Sequence, residues 1–154
     1  MEIRNCESKD LESVSEIENA SFEEPYPLEL FVRLLKNFHQ GFRVAILENK
    51  IAGYCVISPL KWQRIVVISS LATHPEFRNQ GVGSALLADA IRISRETSAL
   101  RSFKKLILQV AADNTSAQSL YSKFGFEFRG TIRNYYGRGR DGIQMELDLL
   151  KKES

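Results

Sequence analysis

Among 154 residues there are only two cysteines, one tryptophan and four prolines. Cys6 and Cys55 lack the spacing of metal-ligand pairs, which excludes a zinc module, and no metal is expected. Each stands in an apolar, strand-like run, so both are expected as buried free thiols of a reducing compartment. No apolar run reaches the roughly 18 residues of a membrane span, and Met1-Glu2-Ile3-Arg4 opens no signal peptide. The expectation is a soluble, cytoplasmic protein without a membrane partner. An excess of one charge is missing too. Twenty-one basic against 19 acidic residues leave +2, too balanced for the dense basic face of a nucleic-acid binder. Repeats, low-complexity tracts and linkers are also lacking. A single domain over residues 1–154 is expected, large enough to bury roughly 68–70% of its unfolded surface.

What is present alternates between the two periodicities of regular structure. Met1 to Cys6 reads as a first strand. Leu11, Val14, Ile17 and Ala20 recur at helical spacing, with Ser8 or Asp10 as N-cap. Ser21 to Pro27 breaks that pattern, and Leu30, Phe31, Leu34 and Leu35 give a second helix ending near Asn37 to Gly41. Strands follow at Phe42–Leu47, Ile51–Ser58 and Ile65–Thr73, the first two joined by a tight turn at Glu48-Asn49-Lys50. A third helix runs from about Gly81 to Thr97. Leu106 to Val110 is a continuous apolar strand, so the intervening helix implies a right-handed parallel crossover. Asp113 or Asn114 caps a fourth helix that Gly125 ends, and late strands occupy Phe126–Asn134 and Ile143–Leu149. The fold class is mixed α/β, with a mostly antiparallel sheet of about seven strands and four helices on both faces.

The most informative stretch is Arg78-Asn79-Gln80-Gly81-Val82-Gly83-Ser84, between a strand and a helix start. Two glycines remove Cβ atoms where the helix's unpaired N–H groups point outward, and those donors with the positive helix end suit a diphosphate. A Walker loop is excluded because no lysine follows Gly83, and a dinucleotide fingerprint because Leu86 stands where the third glycine belongs. The Arg-x-x-Gly-x-Gly pattern resembles the coenzyme A pyrophosphate loop of the GNAT acetyltransferases. A second motif, Asn114-x-x-Ala117-x-x-Leu120-Tyr121-x-x-x-Gly125-Phe126, resembles the other half of that family's acetyl-coenzyme A site.

Two further segments are similar to the RimI-type and archaeal-type protein N-terminal (N-alpha) acetyltransferases. They are Ile17 to Pro27, which resembles the branch's substrate loop, and Arg133-Asn134-Tyr135-Tyr136 with Asp141 to Met145, which resembles its tyrosine-rich hairpin. The resemblance covers Met1 to about Leu150. It implies the GNAT fold and direct acetyl transfer from acetyl-coenzyme A to the N-terminal amine of proteins or peptides. Bacterial members carry a basic glutamate on the fifth strand, where this chain has Gln109, and an amide takes no proton at neutral pH. Archaeal relatives place a glutamate in the first substrate loop, which Glu24 matches. Glu24 is therefore the expected base, with Gln109 orienting a water or the peptide backbone.

By the same resemblance Tyr121 faces the leaving sulfur, and Leu71, Ala72 and Thr73 pair with the pantetheine arm. Amides from Asn79 through Ser84 hold the pyrophosphate, and Asn114 contacts the pantetheine. Arg78 is either a phosphate contact or a solvated loop residue. Phe22, Glu24, Tyr26, Tyr135 and Tyr136 line the acceptor groove, although Phe22 and Phe31 on their own read as core. His74 belongs to a turn. Protein N-termini are the expected partners, with a ribosome or auxiliary subunit left open and a monomer or weak dimer expected. Two other readings stay open: a lysine or small-amine acetyltransferase, and a non-catalytic acyl-coenzyme A-binding module.

Overall fold

The computed structural model describes residues 1–151. The elements are β1 (Glu2–Asn5), α1 (Leu11–Ser21), α2 (Leu28–Asn37), β2 (Phe42–Leu47), β3 (Lys50–Leu60), β4 (Ile65–Thr73), α3 (Val82–Glu96), β5 (Lys105–Ala111), α4 (Thr115–Lys123), β6 (Glu127–Ile132) and β7 (Gly142–Asp148). The strands join in one sheet in the order β1-β2-β3-β4-β5-β7-β6, with β4 and β5 parallel. The chain divides into two compact units, Met1–Ser58 with Ile68–Ile93, and Pro59–Val67 with Ser94–Ser154.

In the first unit, Leu11, Val14, Ile17 and Glu18 are the buried stripe of α1, at the spacing that puts them on one helix face. Phe31 from α2 meets Tyr54 from β3 and Phe42 from β2, with ring centroids 5.7 and 6.0 Å away. Full burial of each ring is worth roughly 1.5–3 kcal/mol. Successive strand residues face opposite sides. While Tyr54 meets α2, the next residue back, Gly53, abuts Val82 and Leu86 of α3. Helices therefore cover both faces of β3. The β2–β3 hairpin turns through Glu48 and Asn49, both at positive φ (53° and 61°), as a two-residue turn compatible with strand twist requires.

In the second unit, β5 pairs with β7 along its whole length, Lys105↔Asp148 through Ala111↔Gly142, and β7 pairs with β6. The continuous apolar strand expected at Leu106 to Val110 forms as β5, with Leu106, Ile107, Leu108 and Val110 all buried. The β4–β5 ladder covers only Ile65–Val67 against Lys105–Ile107.

Three expectations need correction. Neither Ser8 nor Asp10 caps α1 with its side chain. They form a short 3-10 turn, in which the buried Asp10 carboxylate accepts from the Glu7 N–H (2.8 Å) and from Arg4. Phe22 is not core but 43% exposed, because α1 ends at Ser21 and the chain turns outward, whereas Phe31 is fully buried as expected. The late strand stops at Ile132, so Arg133 and Asn134 belong to the loop.

Candidate active site

The loop into α3 has the shape its sequence predicted. Gly81 lies at φ +81°, a conformation that L side chains rarely adopt, and no atom lies within 4 Å of where its Cβ would stand. Asn79 is also left-handed, at φ 64°. The carbonyl of Gly81 accepts from the Ala85 N–H (3.0 Å), so the helix ladder begins there. The N–H groups of Val82, Gly83 and Ser84 precede the first possible acceptor of their own helix. Here lies an open cradle of backbone donors at a positive helix end, suited to a diphosphate.

Around the cradle, Arg78 turns back so that its Nε donates to the Thr73 carbonyl (3.4 Å), and Gln80 reaches the Glu76 carbonyl (3.4 Å). His74 sits in the turn, as expected. Its backbone N–H donates to the Ala52 carbonyl (2.7 Å) and its Nδ1 accepts from the Glu76 N–H (3.0 Å). Leu71 and Thr73 are half-buried and Ala72 is buried at the end of β4. Gly53 was not singled out from sequence, yet it sets the seat of α3. A Cβ there would stand 2.8 Å from the Ala72 carbonyl oxygen and 2.9 Å from Val82 Cγ1.

The segment between α1 and α2 carries Phe22, Glu24 and Tyr26, all exposed. The Tyr26 ring stands edge-on to Phe31 at 6.3 Å. Beneath this segment is a group that the sequence reading passed over. Glu18, only 2% exposed, accepts from the Tyr26 N–H through Oε2 (2.9 Å). Through Oε1 it accepts from the Tyr54 hydroxyl and from Ser70 Oγ (3.0 Å). Tyr54 and Ser70 also contact each other at 2.9 Å. Burial and the Glu18 carboxylate together push the Tyr54 hydroxyl well above its ordinary value, which keeps it a neutral donor. The only available signal for Glu18 was a charged residue on the apolar stripe of α1, four residues after Val14.

In the second unit Gln109 is half-buried on β5 and donates to Gln144 Oε1 across the ladder (3.4 Å). Gln144 in turn donates to Glu146 (3.2 Å), which also pairs with Lys105 and Arg129. Asn114, and not Asp113, caps α4: its Oδ1 accepts from the Ala117 N–H (3.1 Å). Gln118 Nε2 ties the helix back to the carbonyls of Ala111 and Ala112 (3.1 and 3.0 Å). Tyr121 is half-buried with its ring 5.9 Å from Phe126. Gly125, at φ +96°, ends the helix in the predicted way. In the hairpin loop, Tyr135 and Tyr136 stand edge to face at 4.9 Å. Asn134, at φ 57°, accepts from the Gly139 N–H (2.8 Å), and Asp141 accepts from the Asn134 N–H (2.9 Å). The loop is thus held by its own side chains.

Both thiols are buried, and desolvation pushes each up to about 12, which makes them poor nucleophiles. A cavity of about 590 Å³ lies beside Arg4, Asp10 and His74 and is lined by none of the predicted site residues. Among the described residues no cluster of three His, Cys, Asp or Glu side chains could hold a metal, and no helix is long and apolar enough to cross a membrane.

A strand that leads through a glycine turn into a donor-rich helix start is an anion-binding arrangement. The chain belongs to the acetyltransferase (GNAT) family, whose profile matches residues 11–126. It is similar to an N-alpha-acetyltransferase of Sulfolobus acidocaldarius, 31% identical over 159 residues that cover 96% of this chain and 92% of that one. The crystal structure of Ard1 from Thermoplasma volcanium superposes with a TM-score of 0.88 at 29% identity, covering 97% and 98% of the two chains. The ribosomal-protein-S18-alanine N-acetyltransferase from Escherichia coli does so with a TM-score of 0.80 at 25% identity, covering 99% and 96%. A phosphinothricin acetyltransferase from Sinorhizobium meliloti shares the fold (TM-score 0.80, 24% identity, 99% and 92% covered) and was crystallised with AcCoA.

Proposed function

We propose that the chain, working as one domain, transfers the acetyl group of acetyl-coenzyme A to the α-amine of protein N-termini. The observation that carries this reading is the open backbone cradle at Gly81–Ser84, into which the chain leads from β4. The names of the N-alpha- and S18-alanine acetyltransferases it resembles support the acceptor. Acetyl-coenzyme A supplies an activated acyl group and a thiolate leaving group. The amides from Asn79 to Ser84 hold its diphosphate, with Arg78 adding charge. Leu71, Ala72 and Thr73 offer backbone groups to the pantetheine as an added strand would. The Leu71 N–H polarises the thioester carbonyl, and the Asn114 side-chain amide contacts the pantetheine.

Glu24 takes the proton of the attacking amine, directly or through a water. An α-amine near 8 needs roughly 3 kcal/mol less deprotonation than a lysine near 10.4, so one exposed carboxylate suffices. Gln109, held by Gln144, orients that water or the peptide backbone. The Tyr121 hydroxyl donates a hydrogen bond to the departing sulfur. A phenol near 10 is a weaker acid than a thiol near 8.5, so donation without full proton transfer is its role. Phe22, Tyr26, Tyr135 and Tyr136 line the acceptor groove.

The test is thiol release from acetyl-coenzyme A with peptides varied at their first two residues, beside blocked-terminus lysine peptides. Release with open termini alone supports the reading. Release with lysine peptides moves the acceptor to a side chain, and no release from any acceptor reduces the protein to a coenzyme A-binding module.

A further inference from the structure

We infer that Glu18 is the positioning residue of the acceptor loop. Its buried carboxylate bolts the Tyr26 backbone to the sheet and thereby holds the Phe22–Pro27 segment in its peptide-binding shape. The inference rests on the acceptor site proposed above.

Four observations carry it. Glu18 is 2% exposed, although a carboxylate is among the groups most costly to bury. Among the described residues no cation balances it: its partners are the Tyr54 hydroxyl, Ser70 Oγ and the Tyr26 N–H. A structural ion pair is therefore not its purpose. Three donors reach its two oxygens, so neither oxygen is left without a hydrogen bond. The two inner donors stand on neighbouring strands of the rigid sheet, Tyr54 on β3 and Ser70 on β4. Ser70 directly precedes Leu71, the start of the predicted pantetheine segment. The outer donor is a loop amide eight residues downstream of Glu18. Phe22, Glu24 and Tyr26 of that loop all lie at the surface. One carboxylate thus ties a stretch of exposed chain to the sheet beneath it. Such a bond removes conformational freedom that acceptor binding would otherwise have to remove.

The experiment combines steady-state kinetics with amide hydrogen exchange. In the wild-type protein the Tyr26 amide exchanges at least tenfold more slowly than the Glu24 amide of the same loop. Glu18→Leu, which keeps the bulk and removes both acceptors, erases that protection. It raises the KM for the peptide about tenfold, the equivalent of one charge-assisted hydrogen bond, and moves the KM for acetyl-coenzyme A less than twofold. Glu18→Gln, which still offers one acceptor, restores most of both. Tyr54→Phe removes an inner bond and lowers the melting temperature, yet leaves Tyr26 protected and the peptide KM within twofold. The inference is overturned by a wild-type Tyr26 amide that exchanges like Glu24, by equal rises of both KM values in Glu18→Leu, or by a Tyr54→Phe variant that copies Glu18→Leu. Should Glu18→Leu not fold, the wild-type exchange pattern and the Tyr54→Phe kinetics still decide. A protein that acetylates no peptide terminus sinks the functional reading alone, because the exchange measurements need no turnover.

Discussion

The loop into α3 and the loop between α1 and α2 both belong to the first unit, and they are built on opposite principles. The first is made of backbone: Gly81 at φ +81°, amides at a helix start, and an open space where a Cβ would stand. The second is made of side chains, with Glu18, Tyr54 and Ser70 holding one amide from below. A backbone site depends on where glycine is and tolerates change elsewhere. A side-chain site depends on distant residues meeting, 16 to 52 positions apart in this case. Substitutions can separate the two, since each should damage one substrate's affinity and spare the other's.

The largest effect is expected at Gly53. Any side chain there meets the Ala72 carbonyl at 2.8 Å and the first turn of α3 at 2.9 Å, and backbone cannot yield cheaply. Gly53→Val should cost about 3 kcal/mol in urea denaturation. It should also weaken acetyl-coenzyme A binding, measured by calorimetry, because α3 is displaced. A variant of wild-type stability would show that α3 is seated by other contacts. Next is Glu24→Gln, which should lower kcat about 100-fold while the cofactor Kd stays within twofold. A loss of less than threefold across pH 6 to 9 would remove Glu24 from the chemistry. Smaller again is Gly81→Val. It forces a β-branched residue to positive φ, costs about 1 kcal/mol or more of stability, and should weaken acetyl-coenzyme A several-fold without moving the peptide KM. A shift in peptide KM instead would mean that the two loops are not separable.

The same contrast explains what the sequence could reveal. Gly81 and Gly83, Asn114 and Gly125 carry local signals, because a left-handed turn, a cap or a helix end is decided by a few adjacent residues. Both helices that they mark, α3 and α4, form where the pattern put them. The hydrophobic run of β5 was equally legible, since Leu106, Ile107 and Leu108 are buried in succession. Glu18 was not legible. Its partners come from β3, β4 and a loop, and only the folded sheet brings them together. Gly53 was missed for a related reason: it reads as an ordinary strand residue until α3 is seen against it. Phe22 misled in the opposite direction: the break at Ser21 was legible, yet an aromatic beside a helical run still reads as core, and the chain turns it outward.

The smallest effect is also the control for the acceptor loop. Asp10 opens α1, the helix that carries Glu18, and its carboxylate accepts from Arg4 at 2.7 and 3.1 Å and from the Glu7 N–H at 2.8 Å. The Arg4 hydrogen bonds hold the carboxyl below its ordinary value, and burial only partly opposes them. A carboxyl depressed in the folded state stabilises the protein fully above the unfolded value of about 3.9, and that stabilisation is lost as pH falls through the folded value. Solvent reaches the Arg4 side chain, 32% exposed, so the contribution is about 1 kcal/mol. Asp10→Asn should therefore lose about that much at pH 7, and the difference from wild type should close as pH falls through the depressed folded value. Its peptide KM should stay within twofold, because Glu18 lies two turns further along the helix. If Asp10→Asn raised that KM as Glu18→Leu is expected to, the loop would be held by the firmness of α1 as a whole and not by one carboxylate.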